Sequence, residues 1–241
     1  MKTWQGAWFL AKEELRRTRW KHLITIVFIG YLILFIVPMF SDALKGEDDI
    51  RIVFWSVDFI TVSLLPCLGL MSNQQGYYWK TDTNTKKLAS WRVMPIPIRQ
   101  IVWGRLLLLL SNAIPALILF FIAFYFIGHA NNPSIEPYAF IPFAIFWAGY
   151  AVAGSVIFIY FETGVSGIKY FWFCTAVTVG LLAAMVVTTL LLKTSFVLSS
   201  YRFIEDGGWW LALIGVALAI AAFAAMPPLM EKKVRTRSFT S

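Results

Sequence analysis

A chain of 241 residues with 59% hydrophobic content and a mean hydropathy of +0.70 is not a soluble domain, because its apolar residues come in long blocks rather than at core spacing. The net charge of +8 does not mark a nucleic-acid binder: the basic residues are dispersed over four segments flanking apolar blocks, where such charge sets orientation in a membrane. Cys67 and Cys174, the two cysteines, sit in unrelated apolar surroundings and suggest neither a disulfide framework nor a metal site.

In chain order, residues 1–22 come first. Trp4, Trp8, Ala11 and Leu15 recur at helical spacing, with Lys12, Glu13 and Arg16 turned away from them. Tryptophan together with Arg16 and Arg17 suits the headgroup region, which predicts an amphipathic helix lying in the interface. Six apolar blocks follow, each near the roughly 20 residues that a helix needs to cross a bilayer. They are Leu23–Phe40, Ile52–Met71, Leu106–Ile127, Tyr138–Tyr160, Tyr170–Leu192 and Trp209–Pro227. Runs such as Leu106–Leu110 and Leu181–Val187 do not alternate, so a barrel is not expected. The first block is long for a signal peptide and lacks an A-x-A-like site after Phe40, and is read as an uncleaved anchor. The division is therefore an interfacial helix over 1–22, a transmembrane domain over 23–230 and a basic tail over 231–241.

The connections differ in kind. Segment 41–51 is short and acidic, and 128–137 carries breakers at both ends. Segment 193–208 is longer and half apolar (Phe196, Val197, Leu198, Tyr201, Phe203 and Ile204), as expected of a structure dipping into the outer leaflet. Pro38, Pro66, Pro115, Pro142 and Pro227 fall in or at the ends of spans, where proline marks bends or cavity walls. Charge alternates along these connections. One set holds 17 basic and 5 acidic residues, for +12; the other holds 4 basic and, with Asp58 counted on that side, 8 acidic, for −4. Orientation follows Lys and Arg in short loops, so both termini are expected in the cytoplasm, giving an all-α membrane protein of six spans.

Two polar residues stand inside spans. Asp58 is six residues into the second, about 9 Å below its external end at 1.5 Å per residue. An intramembrane carboxylate is costly, and Asp58 is read either as the partner of an external-loop Lys or Arg or as part of a substrate path. Asn112, in the third span, is a weaker candidate for the path, or a polar contact between helices.

The long segment 76–105 carries the strongest signal. Asn84 or Thr85 caps a short helix over 86–93 that Pro95 ends, with Leu88, Trp91 and Arg92 on one side. A tryptophan there either returns to the interface or is buried by a partner. The stretch Pro95-Ile-Pro-Ile-Arg-Gln-Ile-Val-Trp-Gly-Arg-Leu-Leu resembles the link between the second and third spans of type 2 ABC transporter permeases (the ABC-2 family), through Pro95, Ile96, Arg99, Ile101, Gly104 and Arg105. Met94 stands where leucine is usual and Pro97 where serine or threonine is. The acidic residue and Gly-Thr that often precede the stretch are replaced by Asn84-Thr-Lys-Lys. The span plan and chain length are also similar to that family.

The resemblance implies that this segment forms a cytoplasmic coupling helix seated in a groove of a separate ATPase subunit, with Leu88, Trp91, Arg92, Met94, Pro95 and Arg99 at or near the contact. It implies a bacterial plasma-membrane transporter that pairs with a second permease copy or sister permease and exports an amphipathic peptide, drug or lipid. The chain contains no G-x-x-x-x-G-K-[ST] phosphate loop, since Gly164-Val-Ser-Gly-Ile-Lys has the wrong spacing. ATP and Mg are therefore expected on the partner, with no cofactor or metal on this chain. Glu13-Glu14 with Arg16 and Arg17 resembles the glutamate pair of CAAX-type intramembrane proteases. Their arginine would fall at Thr18, however, and their later histidines are missing; an enzyme is not expected. The alternatives are an ATP-independent carrier using Asp58 and a non-transporting immunity or sensor subunit.

Overall fold

A computed structural model describes residues 3–18, 20–45, 51–70, 86, 88–91, 96–192 and 194–236. Among the described residues every regular element is helical, and no strand is present. The elements are α1 (Thr3–Arg17), α2 (Lys21–Lys45), α3 (Arg51–Leu64, continued by a 3₁₀ turn over Leu65–Gly69), α4 (Ile98–Asn131), α5 (Pro137–Gly164), α6 (Gly167–Leu192), α7 (Phe196–Glu205) and α8 (Leu211–Thr236). Five of them, α2, α4, α5, α6 and α8, are long and apolar enough to cross a membrane. This is an all-α membrane protein.

The largest departure from the predicted spans is at the second. The expected helix over 52–71 stops being α-helical at Leu64 and tightens into a 3₁₀ turn at Pro66, while Met71 lies outside the described residues. Proline has no N–H to give to the carbonyl four residues back, and in a membrane that carbonyl needs another donor. α5 supplies it. Tyr150 Oη donates to the Val62 carbonyl at 2.9 Å, and Ser155 Oγ lies 2.6 Å from the Pro66 carbonyl.

Other boundaries also move. α4 begins at Ile98, eight residues before the expected Leu106, with Pro97 as an extended N-cap. Residues 98–105, read as part of the connecting segment, are thus the first two turns of a 34-residue helix. α8 runs through Pro227 and Pro228 to Thr236, so the boundary expected between 230 and 231 falls inside one helix. The reason is packing: Met230 is 0% and Val234 1% exposed.

The core is aromatic. Phe40, Phe124, Phe143 and Tyr201 meet with ring centroids 5.3–6.5 Å apart, mostly edge to face. α5 and α8 touch backbone to backbone where Gly149 faces Gly215, an approach that any Cβ would prevent. α6 stands apart, lying mainly on α3, with only 6% of its apolar window buried.

Candidate functional site

At one end of the bundle, the starts of α1 and α4 meet the ends of α5 and α8. α1 presents its small residues inward: Gly6, Ala7 and Ala11 are buried. Gly104 of α4 makes this approach possible, since a Cβ there would stand 3.2 Å from the Ala7 carbonyl oxygen and 3.3 Å from Leu10 Cβ. Of the stripe Trp4, Trp8, Ala11 and Leu15, the structure packs only part against the bundle. Ala11 is buried, whereas Trp4 and Trp8 are exposed, Trp4 meeting Trp103 edge-on at 6.2 Å. Arg16 and Arg17 are exposed as well.

Arg105 lies at the centre of this end. Its side chain is 5% exposed, with Nη1 3.8 Å from Glu14 Oε1 of α1 and Nη2 3.7 Å from Glu162 Oε1 of α5. Its guanidinium carbon stands 5.4 Å from the Trp91 ring centroid. A buried carboxylate, Glu162, and a largely buried one, Glu14, thus share one guanidinium, which an aromatic face covers. The ion pairs are longer than hydrogen bonds. Among the described residues, Arg105 Nε and Nη2 and Glu162 Oε1 are buried without a hydrogen-bond partner. A second, apolar tie runs alongside: Leu88, Ile101 and Val234 form a small buried cluster flanked by Trp91, Ile96 and Ile98. Arg99 Nε reaches to 3.9 Å from Glu231 Oε1, and Lys233 Nζ sits 4.4 Å from the Tyr160 ring centroid.

The residues carried over from the family resemblance are thus placed unequally. Leu88 is 1% exposed and belongs to the chain's own interior. Its neighbours there are Ile101 of α4 and Val234 near the end of α8. Trp91 is half-buried beside Arg105, and Arg99 is exposed on the first turn of α4. Arg92, Met94 and Pro95 lie outside the described residues. Sequence reasoning missed the joint role of Glu14, Arg105 and Glu162. Each is a charged residue within a helix, but nothing local reports that they converge. The spacing of Met230 and Val234 (i, i+4), running from the last span into the basic tail, was a legible sign that α8 continues.

At the opposite end Asp58 is 0% exposed. It accepts from Ser195 Oγ at 2.6 Å, Phe196 N at 2.7 Å and Val197 N at 2.9 Å. Among the described residues its partner is therefore the N-terminus of α7, where unpaired N–H groups and the helix dipole favour an anion. Ser195 completes the cap by accepting from Leu198 N at 3.1 Å. Within the half-apolar 193–208 segment, Phe196–Glu205 is accordingly a short amphipathic helix with Val197, Leu198, Tyr201 and Ile204 buried. Trp147 Nε1 donates to Ser200 Oγ at 3.2 Å, fastening α7 to α5.

Asn112 is buried in α4 at 7% exposure. A groove of about 610 Å³ opens between α4, α5 and α8, walled by side chains such as Ile118, Phe121, Ile145, Val152 and Ile220. Neither Asp58 nor Asn112 lines it. Among the described residues no group of three or more His, Cys, Asp or Glu is placed to hold a metal ion. No family model matches the chain, and neither the curated proteins nor the solved structures provide a match.

Proposed function

We propose that this chain is the membrane-spanning subunit of a type 2 ABC transporter, and that the Arg105 end is where it couples to a separate ATPase. The observation that carries the reading is the tie between segment 88–91 and the bundle. Leu88 packs on Ile101 and Val234, Trp91 covers Arg105, and Arg105 reaches Glu14 and Glu162. Force applied to that segment passes directly to α1, α4, α5 and α8. The family motif supplies the second support, since its Gly104 and Arg105 are the residues that seat α1 and join the ion pairs.

In this reading α3 with its 3₁₀ turn is the sixth span. Fourteen α-helical and five 3₁₀ residues rise about 30 Å, the thickness of the hydrocarbon core. Both termini face the cytoplasm in this reading, because the +12 set of connections follows the rule that Lys and Arg of short loops stay on that side. ATP with Mg binds the partner subunit, whose closure moves segment 88–91 and tilts the bundle. The exported substrate is amphipathic, in keeping with the apolar groove between α4, α5 and α8. α6, with the least buried apolar surface of the five long helices, offers its free face to a second permease copy or sister permease.

Asp58 argues against the ATP-independent carrier, which needs a carboxylate open to an ion or proton; here both oxygens are engaged by α7. The decisive experiment expresses the chain with a candidate ATPase carrying the phosphate loop and replaces Trp91 and Arg92 by alanine together. Loss of the complex and of ATP-dependent efflux is expected. Unimpaired assembly and transport would sink the assignment.

A further inference from the structure

We propose that the corner between α1 and α2 is a binding site for anionic phospholipid headgroups of the inner leaflet. Four large aromatic side chains lie exposed there: Trp4 at 59%, Trp8 at 48%, Phe9 at 62% and Trp20 at 84%. Water does not favour such a surface, whereas the boundary between acyl chains and headgroups does. Lys12 and Arg16 are exposed beside Trp8, one and two turns on along the same stripe, and Arg17 is exposed at the end of the helix.

The packing of α1 sharpens the sign of this face. Gly6, Ala7 and Ala11 point into α4, and Glu14 is drawn inward to Arg105. Among the described residues of α1, the exposed charges are Lys12, Glu13, Arg16 and Arg17, a net of +2. Charge complementarity selects an anion, and the aromatic bodies select a bilayer over a dissolved one. Basic groups level with phosphates and rings just beneath them match how such side chains divide between polar and apolar layers. A lipid seated here holds α1 on its outer face while Glu14 meets Arg105 on its inner face, so headgroup charge bears on the junction at Arg105. The site needs no ATPase.

The test uses the purified full chain alone in neutral detergent, with thermal unfolding followed as phosphatidylglycerol, phosphatidylcholine or inorganic phosphate is added. Phosphatidylglycerol is expected to raise the midpoint by several degrees at low salt and by less at high salt, where screening weakens the contact. Phosphatidylcholine and inorganic phosphate are expected to give no comparable rise. Lys12→Gln with Arg16→Gln and Arg17→Gln should remove the rise, whereas Lys169→Gln with Lys232→Gln, on other exposed basic positions, should retain it. Because the triple change also removes orienting charge, Trp20→Ala is the second variant; it leaves the basic residues intact and should lose more than half of the rise. An equal response to phosphatidylcholine or inorganic phosphate overturns the site, as does a full phosphatidylglycerol response in either the triple variant or Trp20→Ala. So does loss of the response in the Lys169/Lys232 control.

Discussion

The two ends of the bundle each bury carboxylate and satisfy it in opposite ways. Asp58 meets three donors at 2.6–2.9 Å, all from the first turn of α7 and its cap. Glu14 and Glu162 share Arg105 at 3.7–3.8 Å, leaving buried donors and an acceptor without hydrogen bonds among the described residues. The first arrangement is a closed cap that fixes one geometry. The second is held by charge over longer distances, which a small rotation of α1 or α5 alters little. A buried network that is only partly satisfied is costly to keep, and it suits a junction that must rearrange better than one that must only hold.

The contrast can be broken by substitution, and the largest effect is expected at Arg105. Arg105→Met removes the guanidinium that Glu14 and the buried Glu162 share, which costs about 3–5 kcal/mol. Thermal unfolding of the purified chain should show it, and adding Glu14→Gln and Glu162→Gln should restore much of the loss. A triple variant no better than Arg105→Met would show that the pairs do not act together. Next comes Asp58→Ala, which strands three donors at the start of α7 and costs about 3 kcal/mol. Asp58→Asn, which keeps an acceptor, should cost distinctly less; equal losses would mean that capping is not what Asp58 does.

Smaller effects sharpen the picture. Tyr150→Phe removes the donor to the Val62 carbonyl and should cost about 1–2 kcal/mol. Hydrogen exchange should then rise at the 3₁₀ turn and not in α5; unchanged exchange would mean that the carbonyl finds another donor. Glu231→Gln is expected to cost less than about 1 kcal/mol, because Arg99 is largely exposed and such pairs are weak. A larger loss would show that the end of α8 is held by charge more than by Val234.

Much of the fold was legible. Five of the six expected spans coincide with helices long enough to cross once their ends are adjusted; α2, for one, extends the first by five residues to Lys45. The second span departs because an apolar run says nothing about how its backbone is hydrogen-bonded. Leu65–Gly69 is as apolar as any helix, and only the hydrogen bonds from Tyr150 and Ser155 let it be a 3₁₀ turn. Of the candidate site, Trp91, Arg99 and Asp58 were legible as unusual residues, but their partners were not. Leu88 shows why: its spacing with Trp91 marks an apolar face, yet whether that face meets a partner protein or Val234 depends on how far α8 extends.

The sequence by itself determined that the chain is a bundle of apolar helices with its basic residues concentrated in alternate connections. Both properties are local and additive, so they survive without knowledge of contacts. Only the tertiary structure decided which charges are buried, that Glu14, Arg105 and Glu162 converge, and that Asp58 caps α7. Those outcomes depend on the rotation of each helix about its axis, which is set where small residues such as Gly104, Gly149 and Gly215 allow backbones to meet.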